Sequence, residues 1–212
     1  MTNHMHKGSN SLSDRARLHQ ILIEKLYSRP ILNNSHRGDY VEMMVLDALG
    51  PKWNHVGLGW NLWDLQRGTG ADRVRIQVKQ CAARQLWGKT KCMIFQFPWS
   101  EGAPDYIRRD FPNEALEKQG WFCELFVVGV HPVEDESICD QTDVKQWQFM
   151  VVPASELRQG RSSMVLSKAL KRWPLVGWSD LKTAVDKRID NIERTIQFPP
   201  LQTRRATIRT LT

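Results

Sequence analysis

Three polar residues of the sequence have the types and spacing of a metal-dependent phosphodiesterase site. They are Asp64, Gln77 and Lys79. A carboxylate and an amide oxygen are hard ligands that suit Mg²⁺, which polarises a phosphoryl group and activates a water molecule. An ammonium group stabilises the negative charge that develops on the phosphorus oxygens. The sequence therefore predicts phosphodiester hydrolysis, provided that the fold brings these three side chains together.

A β-hairpin would bring them together. The predicted strands cover residues 60–66 and 74–80, and a Gly-rich turn over 67–72 joins them. Because residues opposed across this turn have numbers that sum to about 141, Asp64 is expected to lie opposite Gln77. Polar and apolar residues alternate along the second strand, so one of its faces should carry three polar side chains. These are Arg75, Gln77 and Lys79.

Positive charge is concentrated around the hairpin. The 212 residues include 30 Lys and Arg against 23 Asp and Glu, which gives a formal charge of +7. Between Arg67 and Lys91 there are seven basic residues and a single acid, Asp72, so this segment alone carries +6. Such a cluster suits a phosphate backbone, although a solvated basic surface without a partner is the open alternative. The residues predicted to contact DNA are Arg67, Arg73, Arg75, Arg84 and Lys89.

Helices and further strands are predicted on both sides of the hairpin. Apolar residues at helical spacing predict three helices, over 14–28, over 39–49 and from Ser179 to just before Pro199. Three more strands are predicted over 93–97, 124–131 and 147–152. The segment 126–130 is almost continuously apolar, which is typical of a central strand buried on both faces. The expected fold class is α/β, with a mixed central sheet flanked by helices.

This pattern resembles the PD-(D/E)xK nuclease superfamily. The signature of that superfamily is an Asp on one hairpin strand, followed on the next by an acid or Gln, any residue and a Lys. Asp64, Gln77 and Lys79 match these positions. The superfamily also places a Glu in a helix ahead of the hairpin, often four residues after a Gly, and Gly38 and Glu42 fit that arrangement.

The resemblance spans about residues 37–153 and implies a restriction-endonuclease-like core. It also implies a Mg²⁺-dependent enzyme, with Mn²⁺ as a substitute, in which Glu42, Asp64 and Gln77 hold the metal and Lys79 acts on the attacking water. The implied activity is cleavage of double-stranded DNA by a homodimer, as in type II-like restriction enzymes. Gln77 replaces the commoner acid, as in the Mrr-like branch, and this removes one negative charge from the metal site.

Other interpretations of the same residues stay open. A structure-specific nuclease of DNA repair or junction resolution would share this fold, as would a DNA-binding module that has lost catalysis. Asp39 and Glu42 could instead be a helix N-cap and its N3 glutamate. The polar face of the hairpin could be solvated, although Trp60 and Trp63 beside it argue against exposure. Asp72 follows two turn-forming residues and is interpreted as part of the turn.

The sequence indicates a cytoplasmic protein, and the resemblance to restriction enzymes implies a prokaryotic cell. Its four cysteines form no C-x-x-C pair and are expected to be reduced thiols. No apolar segment approaches the ~20 residues of a membrane span, and the N-terminal segment lacks the apolar region of a signal peptide. We expect a loose arm over 1–12, a single nuclease domain over 13–200 and a basic tail over 201–212.

Overall fold

A six-stranded mixed β-sheet forms the centre of the structure, a computed structural model that describes residues 13–56, 62–110, 119–160 and 163–197. The described strands are β1 (Asn54–His55), β2 (Leu65–Arg67), β3 (Val74–Ala82), β4 (Arg84–Gln85), β5 (Gly88–Lys89), β6 (Ile94–Gln96), β7 (Leu125–His131), β8 (Gln148–Pro153), β9 (Ser163–Val165) and β10 (Leu175–Gly177). The described helices are α1 (Asp14–Tyr27), α2 (Asn34–Leu49), α3 (Asp105–Asp110), α4 (Leu166–Ala169) and α5 (Leu181–Gln197).

The order of strands in the central sheet is β1-β2-β3-β7-β8-β10. Strands β3 and β7 pair in parallel, whereas the other neighbours in this sheet pair antiparallel. Two small sheets, β4-β5 and β6-β9, lie outside it. This architecture confirms the predicted α/β class with a mixed central sheet and flanking helices.

Strand β7 is the buried centre of the sheet, as its apolar sequence predicts. All seven of its residues are buried. Helices α2 and α5 contribute to the apolar core on one face of the sheet, while β6, β9 and α4 contribute to the core on the other face. Gly129 allows α2 to approach closely, because a Cβ atom there would lie 2.9 Å from Cγ1 of Val41. The absence of a side chain in β7 thus helps to set the position of α2.

Helix α2 begins five residues earlier than the predicted start at Asp39. Its N-cap is Asn33, whose side chain accepts a hydrogen bond from the backbone N–H of Ser35 at 2.8 Å. Asp39 therefore lies within the helix, and the interpretation of Asp39 and Glu42 as a capping pair is wrong. The predicted start was too late because the buried apolar residues of this helix begin only at Val41.

The buried guanidinium of Arg37 connects the start of α2 to the rest of the protein. Its nitrogens donate to five neutral oxygens, those of Leu32 (backbone), Asn34, Gln80, Gln85 and Gln141, at 2.7 to 3.4 Å. No acid is among these partners, and burial lowers the pKa of Arg37. Because only neutral acceptors compensate for the burial of this charge, the loss of any one of these hydrogen bonds is costly.

Helix α1 forms where the sequence predicts it but does not pack as expected. Ser13 caps it through a hydrogen bond from the N–H of Ala16 to its side-chain oxygen at 3.3 Å. An amphipathic helix is expected to pack its apolar stripe on another surface, yet none of the residues of α1 is buried. Local periodicity predicted the helix but not the surface against which its stripe would pack.

The other predicted elements differ mainly in their ends. The strands predicted over 93–97, 124–131 and 147–152 correspond to β6, β7 and β8, and the predicted C-terminal helix corresponds to α5. Strand β2 starts only at Leu65, and Trp60, the arm and the basic tail lie outside the described residues. No described helix has the length and apolar character needed to cross a membrane.

Candidate active site

The hairpin of β2 and β3 has the predicted register. Its paired residues are Leu65 with Ile76, Gln66 with Arg75, and Arg67 with Val74, and the numbers in each pair sum to 141. Gly68 allows the turn, because it has a φ of 70° and a Cβ atom there would lie 2.7 Å from the carbonyl oxygen of Asp72. Asp72 itself belongs to a 3-10 turn, in agreement with its predicted role. Asp64 departs from this register, because its N–H donates at 2.9 Å to the carbonyl of Ile76, the residue that Leu65 already opposes. The predicted position of Asp64 opposite Gln77 stays a prediction.

Asp64 is fixed by three backbone groups of two neighbouring segments, β3 and the residue that follows β1. Its N–H donates to the carbonyl of Ile76 at 2.9 Å, and its carbonyl accepts the N–H of Val56 at 2.9 Å. Its Oδ2 atom accepts the N–H of Val78 at 2.6 Å. The side chain of a residue held at three points has little freedom to move away from the hairpin, and Asp64 is only 8% exposed.

The environment of Asp64 disfavours its charge. Burial raises the pKa of this carboxyl group, while the positive charge of Lys79, the hydrogen bond from Val78 and the nearby His55 act in the opposite direction. The effects of Lys79, Val78 and His55 together do not bring the pKa of Asp64 back to the ordinary value of an aspartate. A further positive charge close to Asp64 would therefore stabilise its carboxylate form.

A second acid, Glu42, reaches the same region from α2. Its Oε2 atom lies 2.9 Å from Nε2 of His55 in β1, and both side chains are largely buried. Burial raises the pKa of Glu42, and the negative charge of Asp64 raises it further, whereas the hydrogen bond with His55 lowers it. The two carboxylates thus lie within range of each other's charge.

Gln77 and Lys79 lie on one face of β3. Their partners in the parallel ladder are Phe126 and Val128, which belong to the apolar core on the face opposite α2. Gln77 is buried and Lys79 is half-buried. Lys79 acts on Asp64, whereas the charges that act on Glu42 are Asp64, His55 and Asp39. Asp64 is thus the residue that interacts electrostatically with both Lys79 of β3 and Glu42 of α2.

The oxygen donors of this cluster fit a hard divalent cation. Glu42 and Asp64 are two largely buried carboxylates whose negative charge burial disfavours, and a bound cation would relieve that cost. The described residues contain no group of three or more His, Cys, Asp or Glu that could hold a metal ion. Mg²⁺ needs no such group, because it is commonly bound by one or two carboxylates together with substrate phosphates and water.

Sequence reasoning missed His55. Its strand has only two residues, and it has no spacing to another His that would mark a site. His36 is closer to Glu42 along the chain. In the structure His36 contacts the ring of Tyr27, at 6.0 Å between ring centroids, and not the acids. Only the fold brings β1 next to the middle of α2.

Arg75 differs from the predicted surface contact for DNA. It is 1% exposed, and its guanidinium pairs with the carboxylate of Glu124 at 2.7 Å and lies 5.3 Å from the ring of Trp63. Its backbone N–H also donates to Glu124 at 2.6 Å. The prediction that Arg75 contacts DNA is therefore corrected, because its charge is paired with Glu124 and enclosed within the protein.

Acids distant in sequence also pair with other basic residues of the hairpin region. Arg84 forms an ion pair with Glu136, and Lys89 forms one with Glu134 at 3.3 Å. Arg67 lies over the ring of Trp53, with 5.7 Å to the ring centroid. The charge of +6 counted along the segment is thus partly neutralised in the fold. The roles of Arg67, Arg73, Arg84 and Lys89 in DNA binding stay predictions.

Comparisons with known proteins give one distant structural similarity. No model of a protein family matches the sequence, and no curated protein matches it. A solved structure of a bacterial homing endonuclease, I-Ssp6803I, is similar over 78% of this chain and 99% of that chain. The TM-score is 0.40 and the sequence identity is 14%. The function of the candidate site is therefore inferred from its own residues.

Proposed function

We propose that the protein is a metal-dependent endonuclease of the PD-(D/E)xK type, which hydrolyses phosphodiester bonds of double-stranded DNA. The observation that carries the proposal is the setting of Asp64, a largely buried carboxylate whose Oδ2 accepts the N–H of Val78 at 2.6 Å. The positive charge of Lys79 acts on Asp64, and the negative charge of Asp64 acts on a second acid, Glu42. Groups with perturbed pKa values and specific charged neighbours are typical of functional sites. A purely structural role would not require two largely buried acids whose charges the fold disfavours.

The proposed metal ligands are the carboxylates of Glu42 and Asp64 and the amide oxygen of Gln77. Mg²⁺, or Mn²⁺ in its place, would supply polarisation of the phosphoryl group and a water of lowered pKa. Because Gln77 carries no charge, the two carboxylates would supply all the negative charge that the protein contributes to the ion.

Hydrogen bonds within the protein orient both carboxylates. The N–H of Val78 binds Oδ2 of Asp64, and His55 binds Oε2 of Glu42, so each acid keeps its other oxygen as an acceptor. In this proposal Lys79 places its positive charge beside the scissile phosphate, where it stabilises the pentavalent phosphorus and orients the attacking water. The rigid attachment of Asp64 to the hairpin keeps these groups in register.

We further propose a homodimer of the type II-like restriction kind, because cleavage of both strands requires two active sites. Discrete bands from plain linear duplex would support this function. Cleavage restricted to branched or damaged DNA would indicate a structure-specific repair or junction-resolving nuclease instead. Absence of any divalent-metal site by calorimetry would indicate a DNA-binding module.

The substitution Lys79→Ala is expected to reduce nicking of supercoiled plasmid about a hundredfold or more while leaving DNA binding within a fewfold of the unmodified protein. The reason is that Lys79 is proposed to act mainly on charge that develops in the transition state. A gel assay of plasmid nicking and a mobility-shift assay measure the two effects. Lys182→Ala is the matched control, since that lysine is exposed and pairs with Asp186 in α5. Full cleavage by Lys79→Ala would contradict the proposed role of Lys79 in catalysis.

The substitution His55→Ala is expected to lower the cleavage rate by about 10 to 100-fold, the usual effect of losing a residue that orients a metal ligand. It should also raise the Mg²⁺ concentration needed for half-maximal rate, because Glu42 loses the hydrogen bond that orients it. His55→Gln, which keeps a donor, should recover part of the loss. His36→Ala serves as the control. An unchanged Mg²⁺ dependence in His55→Ala would show that His55 does not position Glu42.

A further inference from the structure

Helix α1 presents an apolar stripe that the described part of the chain leaves uncovered. Leu18, Ile21 and Leu22 lie at positions i, i+3 and i+4 and are 52%, 39% and 55% exposed. None of the 14 residues of this helix is buried. Isolated helices of this length are only marginally stable in water, and their stability in proteins comes mainly from packing of the apolar face. The stripe therefore requires a partner surface.

We propose that this partner is helix α1 of a second copy of the chain, and that the two helices pair antiparallel about a two-fold axis. The inference adds a specific contact to the homodimer of the proposed function, on which its biological purpose rests. A two-fold interface uses the same surface on both copies, so each contact occurs twice. Leu18 of one copy would pack near Leu22 of the partner subunit, with Ile21 close to the axis.

The charges beside the stripe are complementary only when the helices run antiparallel. Arg17 and Glu24 are seven residues apart, which is nearly two full turns, so both lie on the same flank of the stripe. In an antiparallel pair this flank of one helix lies against the same flank of the other, which runs in the opposite direction. Arg17 of each copy then faces Glu24 of the partner subunit, so the attraction occurs twice. A parallel pair would set this flank against the opposite one, which carries His19 and Ile23.

The attachment of α1 to the protein would make such a pair a fixed contact. The ring of Tyr27, at the end of the helix, contacts the ring of Tyr40 in α2 at 5.7 Å between centroids. The carbonyl of Pro30 accepts the N–H of Gln141 at 2.6 Å. Helix α1 is thus anchored close to α2, the helix that carries Glu42. Pairing through α1 would give two candidate active sites a defined relative position.

The self-association is expected to be reversible. A helix of 14 residues is about 21 Å long, so a pair of them buries less than the roughly 800 Å² per partner of a standard interface. Sedimentation velocity over a concentration series should therefore show a monomer that converts to a dimer. Leu22→Lys should keep the protein monomeric, and Leu170→Lys, which changes an exposed leucine outside α1, should leave the dimer unchanged.

Charge reversal tests the direction of the pair. Arg17→Glu and Glu24→Arg should each weaken the dimer about tenfold, because each replaces two attractions with two repulsions. The double variant R17E/E24R should restore the dimer to the affinity of the unmodified protein. Within one helix, residues seven apart are not side-chain neighbours, so this rescue can arise only between copies.

Three results would overturn the inference: a monomer at every concentration, a dimer unaffected by Leu22→Lys, or a double variant weaker than both single variants. The mass measurement is independent of cleavage. An active nuclease that is monomeric would refute the α1 pair and leave the proposed function intact. A dimer with the expected charge rescue but without cleavage would support the pair and contradict the proposed function.

Discussion

Replacement of Asp64 with asparagine is expected to reduce DNA cleavage by about three orders of magnitude and, at neutral pH, to raise the melting temperature by a few degrees. Asparagine keeps an oxygen that can accept the N–H of Val78 but cannot supply the negative charge proposed to bind the metal. The gain in stability follows because the fold disfavours the Asp64 carboxylate, whose pKa burial raises. Function and stability should therefore change in opposite directions at this residue.

The stability difference should depend on pH in a defined direction. A carboxyl group whose pKa is higher in the folded than in the unfolded state binds its proton more tightly in the fold, so stability falls as pH rises through that interval. At low pH, where Asp64 is protonated in both states, Asp64→Asn and the unmodified protein should have similar melting temperatures. The advantage of the variant should grow with pH and become constant above the raised pKa.

Thermal denaturation between acid and neutral pH, with and without Mg²⁺, measures both effects. Mg²⁺ should raise the melting temperature of the unmodified protein, because a ligand that binds only the folded state stabilises it, and should leave Asp64→Asn unchanged. Asp47→Asn is the control, since Asp47 is an exposed acid of α2. A variant that is less stable than the unmodified protein at neutral pH would contradict the account of the Asp64 environment.

Replacement of Arg37 with methionine is expected to destabilise the protein by about 3 kcal/mol or more. Methionine fills much of the same volume but cannot donate to the five oxygens that the guanidinium now binds. The amide oxygens of Gln80, Gln85 and Gln141 would each lose a charged donor, and such bonds contribute about 1.5 to 3 kcal/mol apiece. Relief of the buried charge offsets only part of this loss.

Urea denaturation of Arg37→Met measures the free energy of unfolding. Arg37→Lys should also be destabilised, because an ammonium group has three donors and cannot reach five separate oxygens. Arg158→Met, at an exposed arginine, should leave the free energy of unfolding within about 0.5 kcal/mol. A loss of less than about 1 kcal/mol in Arg37→Met would mean that this network is not a main source of stability.

The hairpin could be predicted from the sequence because its determinants are local. Strict alternation along β3 and a turn that needs glycine at position 68 fix the register in which residues 65–67 pair with residues 74–76. The continuous apolar segment that predicts β7 is equally local, since a strand buried on both faces must be apolar throughout. The acid of α2 was found only through the resemblance to a known superfamily.

Features that depend on distant residues could not be predicted. The acids that neutralise Arg75, Arg84 and Lys89 lie 45 to 52 residues away along the chain, so a count of charge within the segment overestimated the basic surface. His55 lies in a strand of two residues, too short for any periodicity. The exposure of α1 has the same origin, because an amphipathic stripe shows that a helix packs but not which surface covers it.

Cleavage of supercoiled plasmid by the unmodified protein and by Asp64→Asn, each in Mg²⁺ and in EDTA, tests the central claim most directly. The proposed site predicts nicked and linear products only for the unmodified protein with Mg²⁺, with Mn²⁺ as an effective substitute. Equal cleavage by Asp64→Asn, cleavage that persists in EDTA, or no cleavage of any plasmid or linear duplex with either metal would contradict it.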